Sequence, residues 1–302
     1  MHTPSSQPHS TALVLGGGGS TGNAWLIGIV AGLFDAGLDV TGADRTIGTS
    51  AGATAGGQLA GASPAELFRA TLTPVPPQRT AAVGATAARP PVRGLDDHLD
   101  RMRGIIATSE DAADWRRRMG AAALEVDAAS DGAQSARWRT TVAGRLPADR
   151  WPERMLLLTA VDARTGEPVV FDRDSGVGLA DAVAASTSGG GFAYRIGEGR
   201  YIDGGYRSNA ENADLAAGCE RVLVLSPLGG RSLTPVEWGT HLTTQVDRLR
   251  AGGSRVETIV PDAAAEHLFG ARAMDGTLRP AAAQAGYDQG RELVTRLADL
   301  WA

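Results

Sequence analysis

The chain has 302 residues, 43% of them apolar, with 34 acidic and 29 basic side chains for a net charge of −5. That length supports a sizeable core in one large domain or two small ones. The dispersed negative balance, with no lysine anywhere, excludes a broad electrostatic grip on nucleic acid, and the single Cys219 excludes an intrachain disulfide and fits a reducing compartment.

In chain order, "MHTPSSQPHS" (1–10) is polar and reads as a disordered leader, without the basic segment and apolar run of a secretory signal. No apolar stretch reaches bilayer-spanning length, so the expected setting is cytoplasmic, with peripheral membrane contact left open. Residues 11–302 read as one α/β domain. "TALVLGGGG" (11–19) is a short strand running into glycines, and "NAWLIGIVAGLFDAG" (23–37) is apolar at helical spacing. "ADRTIGTS" (43–50) predicts a second strand and "AGATAGGQLAGA" (51–62) a helix of small residues. Strand–loop–helix–strand–helix alternation predicts a mainly parallel sheet with helices on its faces.

Residues 63–150 differ: prolines cluster in "TPVPPQ" and "ARPPVRG", followed by charged amphipathic pieces. This predicts a helical insertion, either a lid or a plain helical layer. Sheet signals return in "RMLLLTAVDA" (154–163), "EPVVFD" (167–172), "GRYIDGGY" (199–206), "RVLVLSPL" (221–228) and "RVETIVP" (255–261). "GLADAVAAS" (178–186) predicts a helix, and "PAAAQAGYDQGRELVTRLADLWA" (280–302) a terminal amphipathic one. Trp25, Trp115, Trp138, Trp151 and Trp238 are candidates for interfacial anchoring or for core packing.

"GGGGSTG" (16–22) contains G-x-G-x-x-G as Gly17, Gly19 and Gly22. A dinucleotide loop of this form wants an acidic residue ending the second strand. That strand ends in Thr49-Ser50 instead. The same exposed backbone N–H groups at a helix N-terminus also suit the oxyanion formed when a carbonyl is attacked.

Such a loop needs a nucleophile, and Gly48-Thr49-Ser50-Ala51-Gly52 fits G-x-S-x-G, the sharp strand-to-helix elbow with serine at its apex. Adjacent parallel strands bring both motifs to one sheet edge. Serine also needs a base. His2 and His9 lie in the leader, and His98, His241 and His267 lie in helical-looking text. A Ser50–Asp203–His triad stays formally open, although the elbow follows only the second strand. Asp203 in "YIDGG" (201–205) ends an apolar strand and enters the Gly204-Gly205 turn. An Asx turn explains it structurally. As a base its ordinary pKa of about 3.9 is too low, and burial would raise it.

The three motifs in this order resemble those of the patatin-like phospholipases, also called patatin-like lipid acyl hydrolases. "GIVAGLFDAGLD", "LADAVAAST" and "RSNAENADLAAGCERVLVLSPL" look alike too, so the resemblance covers roughly 11–60 and 155–230. It implies a three-layer α/β/α sandwich and a Ser50–Asp203 dyad without histidine. The amides of Gly17, Gly18 and Gly19 would form the oxyanion hole, and Gly22, Gly48, Gly52, Gly204 and Gly205 would shape the motifs. The implied activity is hydrolysis of lipid esters through an acyl-enzyme, with neither cofactor nor metal and with an apolar acyl pocket. Thr21 stands where many members carry Arg or Lys, and "SGGGFAYR" (188–195) where the family often has a small residue and proline. Acyl transfer or thioester cleavage would use the same dyad. A non-catalytic nucleotide-binding domain is the reading from another class.

Overall fold

β1 (Thr11–Leu15) buries every residue after its first, as a strand covered on both faces must. Leu13 and Leu15 face one core and Ala12 and Val14 the other, the period-two alternation of a strand. The computed structural model describes residues 10–73, 95–128, 132–189 and 191–301. The leader and the proline-rich text between 74 and 94 lie outside the described residues.

After β1 come α1 (Gly19–Asp35), β2 (Arg45–Gly48), α2 (Ala51–Leu59) and α3 (Pro64–Leu72). The insertion continues with α4 (Leu95–Thr108), α5 (Ala112–Ala128) and α6 (Ala133–Ala143). Then follow β3 (Met155–Asp162), β4 (Pro168–Phe171), α7 (Leu179–Ser186), β5 (Tyr194–Ile196) and β6 (Gly199–Asp203). The chain closes with β7 (Arg221–Leu225), α8 (Leu242–Ala251), β8 (Arg255–Ile259) and α9 (Arg279–Trp301).

One mixed sheet runs β5-β6-β3-β2-β1-β7-β8, with β4 paired to β3. β1, β2, β3, β7 and β8 are parallel. β4, β5 and β6 are antiparallel to their neighbours. The layers are those of an α/β/α sandwich. α1, α3 and α9 cover the face of Leu13, Leu15, Leu223 and Leu225. On the opposite face, α8 and the turn Ala213–Ala216 cover Ala12, Val14, Val222 and Val224.

The insertion helices dock on several parts of this body. α3 opens on a capping box between Ser63 and Glu66 with Pro64 in its first turn. It packs on α1 and α9, with Phe68 stacked on Tyr287 at 4.5 Å. α5 sets Trp115 and Met119 against Ile202 and Tyr206, beside the end of β6. α6 is held to α7 by Trp138, whose indole N–H donates to the Ala184 carbonyl at 3.1 Å. Trp25 is fully buried and bonded to Gln289 at 3.1 Å, which makes it core.

α1 and α9 pack through glycine. Gly28 and Gly32 of α1 lie against the backbone of Ala283 and Tyr287, and Gly286 and Gly290 of α9 lie against Trp25 and Ile29. A methyl on Gly28 would overlap the Ala283 carbonyl. Gly28→Ala is therefore expected to cost roughly 3 kcal/mol in denaturant unfolding, even after the helix-propensity gain of alanine. Gly104, in α4, has open space where its methyl would go, and Gly104→Ala should add roughly 0.5–1 kcal/mol.

Candidate active site

Strand register brings the three motifs to one height. Leu15 pairs with Gly48, and Gly48 with Leu158. Ser50 therefore lies two residues beyond that level. Two residues beyond Leu158 is Ala160, whose partner on β6 is Asp203. β6 runs antiparallel to β3, so it reaches this height from above, with Tyr201 opposite Asp162. Asp203 thus does not stand at the carboxyl end of a parallel strand, as its strand-end position suggested. It is carried down into the site.

Ser50 has φ of 52° and is the residue before α2. For a non-glycine residue this costs on the order of 1–3 kcal/mol and persists only where the surroundings enforce it. Here backbone crowding does so. A methyl on Gly52 would overlap the Leu15 carbonyl, and one on Gly48 would stand 2.8 Å from the Ala53 Cα. The Ser50 amide donates to the Ser186 Oγ at 3.0 Å, and the Gly52 amide to the Thr49 carbonyl at 2.8 Å.

A buried polar lattice supports the elbow from below. Asn212, itself at φ 54°, donates to the Gly204 carbonyl at 2.9 Å and the Thr49 Oγ1 at 3.0 Å. Thr49 and Thr159 share a hydrogen bond of 2.9 Å. A methyl on Gly204 would collide with Thr159, so only glycine lets the Asp203 turn lie on β3. Ser186, Thr159 and Asn212 lie outside the three motifs, although Ser186 and Asn212 fall in flanking text that shares the resemblance.

Asp203 is buried, and its Oδ1 accepts the Gly205 amide at 2.8 Å. Burial pushes its pKa up to about 6, against the downward pull of that amide and of a hydrogen bond from the Ser50 side chain. A methyl on Gly189 would sit 2.9 Å from the other carboxylate oxygen. Tyr206 lies buried beyond this turn, its hydroxyl 2.9 Å from the His98 Nε2. Burial raises the tyrosine pKa, with the Asp203 charge adding to it, and burial lowers that of His98. A crevice lined by His98, Met119, Ile202 and Tyr206 has about 10 Å³, room for about one water and not for an acyl chain. His241 and His267 bond to the carbonyls of Thr234 and Ala264. Among the described residues no histidine bonds to Ser50 or Asp203.

The glycine loop faces the elbow: a methyl on Gly17 would be 3.5 Å from the Ser50 Cβ. Its amides are not equivalent. The Gly17 amide donates to the Ala210 carbonyl at 2.7 Å, which occupies one of the three donors expected of this loop. Among the described residues no acceptor takes the amides of Gly18 and Gly19, and α1 begins without a side-chain cap. Gly19 has φ of 65°, and a methyl there would meet the Ala273 carbonyl at 2.8 Å. A methyl on Gly22 would meet the Pro227 Cβ at 3.1 Å, so this glycine lets α1 lie close to the β7 loop. The Ala51 amide, next to Ser50, is also without an acceptor among the described residues.

No protein-family model and no curated protein matches the chain. Solved structures are similar to it, among them the following two. VipD from Legionella pneumophila shares 15% identity and a TM-score of 0.43, over 98% of this chain and 69% of that one. The type III effector protein ExoU shares 17% identity and a TM-score of 0.34, over 94% of this chain and 54% of that one. In the order of its three sequence motifs the chain resembles the patatin-like phospholipases. No helix among the described residues is long and apolar enough to cross a membrane.

Behind the loop lies a second buried carboxyl. Glu211 accepts the Ser226 hydroxyl at 2.6 Å, and a methyl on Gly16 would lie 3.3 Å from its Cγ. Burial pushes its pKa up to about 7, from an ordinary 4.5. Asp203 rises from 3.8 to about 6. Both folded-state values exceed the unfolded ones, so each group contributes stability at acid pH that is lost as pH rises through its own interval. A shift near two units corresponds to roughly 3 kcal/mol per group. Asp203→Asn and Glu211→Gln should therefore raise the thermal midpoint at pH 8 relative to wild type, with the gain vanishing near pH 4. Differential scanning calorimetry across that range checks both.

Proposed function

We propose that the protein is a serine hydrolase that cleaves carboxylic ester bonds of lipids through a Ser50–Asp203 dyad. The observation that carries this is the meeting of a strained serine at a helix N-terminus with a buried carboxyl whose pKa is about 6, next to uncommitted loop amides. A carboxylate of that pKa is a competent general base near neutrality. The amides of Gly18 and Gly19, aided by Ala51, are the oxyanion donors this reading needs, since Gly17 is engaged with Ala210.

In this mechanism the Ser50 Oγ attacks the acyl carbonyl while Asp203 accepts its proton. The negative oxygen is held by the loop amides and the N-terminus of α2. Collapse expels the alcohol, which takes the proton from Asp203, and leaves an acyl-serine. Water then gives a proton to Asp203 and attacks that ester. The acid departs, and the proton returns to Ser50. Support for the lipid side of the reading comes from the resemblance in motif order.

Incubation with a fluorophosphonate should add one group to wild type by intact mass, none to Ser50→Ala, and react far more slowly with Asp203→Asn. A folded wild type that stays unmodified overturns the reading. Only ionised Asp203 is a base, so kcat/KM for a short-chain ester should fall about tenfold per pH unit below about 6 and level off above it. A profile without that limb would exclude Asp203 as the base.

A further inference from the structure

Two arginines that took no part in the motifs lie around α2, the helix that follows Ser50. Arg279, at the start of α9, donates to the Ser20 carbonyl at 2.8 Å and its hydroxyl at 3.4 Å, and to the Asn23 Oδ1 at 3.0 Å. Asn23 in turn donates to the carbonyl of Ala51, the neighbour of Ser50, at 3.4 Å. Arg145 approaches from the other side. Its guanidinium lies 5.3 Å from the centroid of the Trp138 ring. Trp138 donates to the hydroxyl of Thr187, next to the Ser186 that accepts the Ser50 amide. Gln58 joins the two sides, accepting from Asn23 at 3.0 Å and donating to the Arg145 carbonyl at 3.2 Å.

The charges do not balance. Each group bonded to the Arg279 guanidinium is neutral, and Arg145 rests on an aromatic ring. Among the described residues no carboxylate pairs with either; burial lowers the pKa of both, and at Arg279 the repulsion of Arg145 adds to that effect. Two other arginines have acids: Arg139 pairs with Asp181 and Asp149, and Arg207 with Asp214. The uncapped N-terminus of α1 adds a further partial positive charge at Ser20. Like charges gathered without a counter-ion are unfavourable unless an anion comes from outside. Two forked guanidiniums match the oxygens of a phosphate.

We propose that Arg145 and Arg279 form a phosphate-binding site around α2 that holds the phosphate of a lipid ester while its acyl carbonyl lies over the nucleophile. This rests on the ester-hydrolase reading for its substrate, though not for its anion. The phosphate source is either a lipid headgroup or free phosphate, and the experiment separates them.

The test compares kcat/KM for monomeric dihexanoylglycerol phosphate with that for dihexanoylglycerol, which has the same acyl chains and no phosphate. Wild type should favour the phosphate-bearing ester. Arg145→Gln and Arg279→Gln should each lower that preference about tenfold, the loss of one charged hydrogen-bonding group, and lysine at either position should restore part of it. An unchanged preference in both glutamine variants overturns the proposal. Calorimetry on Ser50→Ala supplies the second readout. Dihexanoylglycerol phosphate should bind more tightly than inorganic phosphate and lose affinity on Arg279→Gln. Equal affinity for the two would make free phosphate the occupant and overturn the headgroup assignment. If wild type cleaves neither ester while Ser50→Ala binds the lipid phosphate through these arginines, the hydrolase reading fails and the anion site stands. If Arg279→Gln does not fold, Arg145→Gln and Arg279→Lys carry both readouts.

Discussion

Everything at the site hangs on one backbone contact, that of Gly52 against the carbonyl of Leu15. No side chain fits between the start of α2 and the end of β1. That closeness bends the chain after β2 so sharply that Ser50 is forced into the left-handed region. Relaxing the contact would let Ser50 take an ordinary conformation and swing its hydroxyl away from Asp203. The same contact holds the elbow beside the glycine loop, because Gly16 and Gly17 continue directly from Leu15. Strain at the serine is thus held by packing that involves no reactive group.

The second constraint is electrostatic. A carboxyl as buried as Asp203 destabilises the folded protein at neutral pH, and in the proposed mechanism that destabilisation is what would make it a usable base. The Asn212 lattice positions the turn without relieving the charge. Asn212 gives its amide to Gly204, Thr49 and Asn209 and none of it to Asp203. Stability and reactivity are set against each other at one side chain, as active sites commonly arrange.

Much of this was legible in the sequence because its signals are local. Buried strands show as short apolar runs, and the elbow and loop show as glycines at fixed spacing, since steric exclusion acts on near neighbours. Long-range information was not legible. β5 is three residues long and has no pattern of its own. The antiparallel course of β6 depends on pairing with β3 and not on its composition. α1 begins at Gly19, earlier than its apolar periodicity suggested, because its first turn is set by the loop. The engagement of Gly17 with Ala210 joins segments almost two hundred residues apart, and no spacing rule could forecast it. Arg279 likewise reaches the loop only through the docking of α9.

That docking also bears on how the chain comes to be folded. α1 is buried nearly all round, and its partner helix closes the described chain, so that Trp25 and Gln289 bond across 264 positions. A pairing of such high sequence separation forms late and slows folding. Until α9 has left the ribosome, the part of the α1 surface that α9 covers stays open to solvent. The glycine loop leads into the N-terminal end of that same helix. The glycine interleaving of α1 and α9 therefore ties the final packing around the glycine loop to the emergence of α9, and a nascent chain carries the serine elbow before it carries that packing.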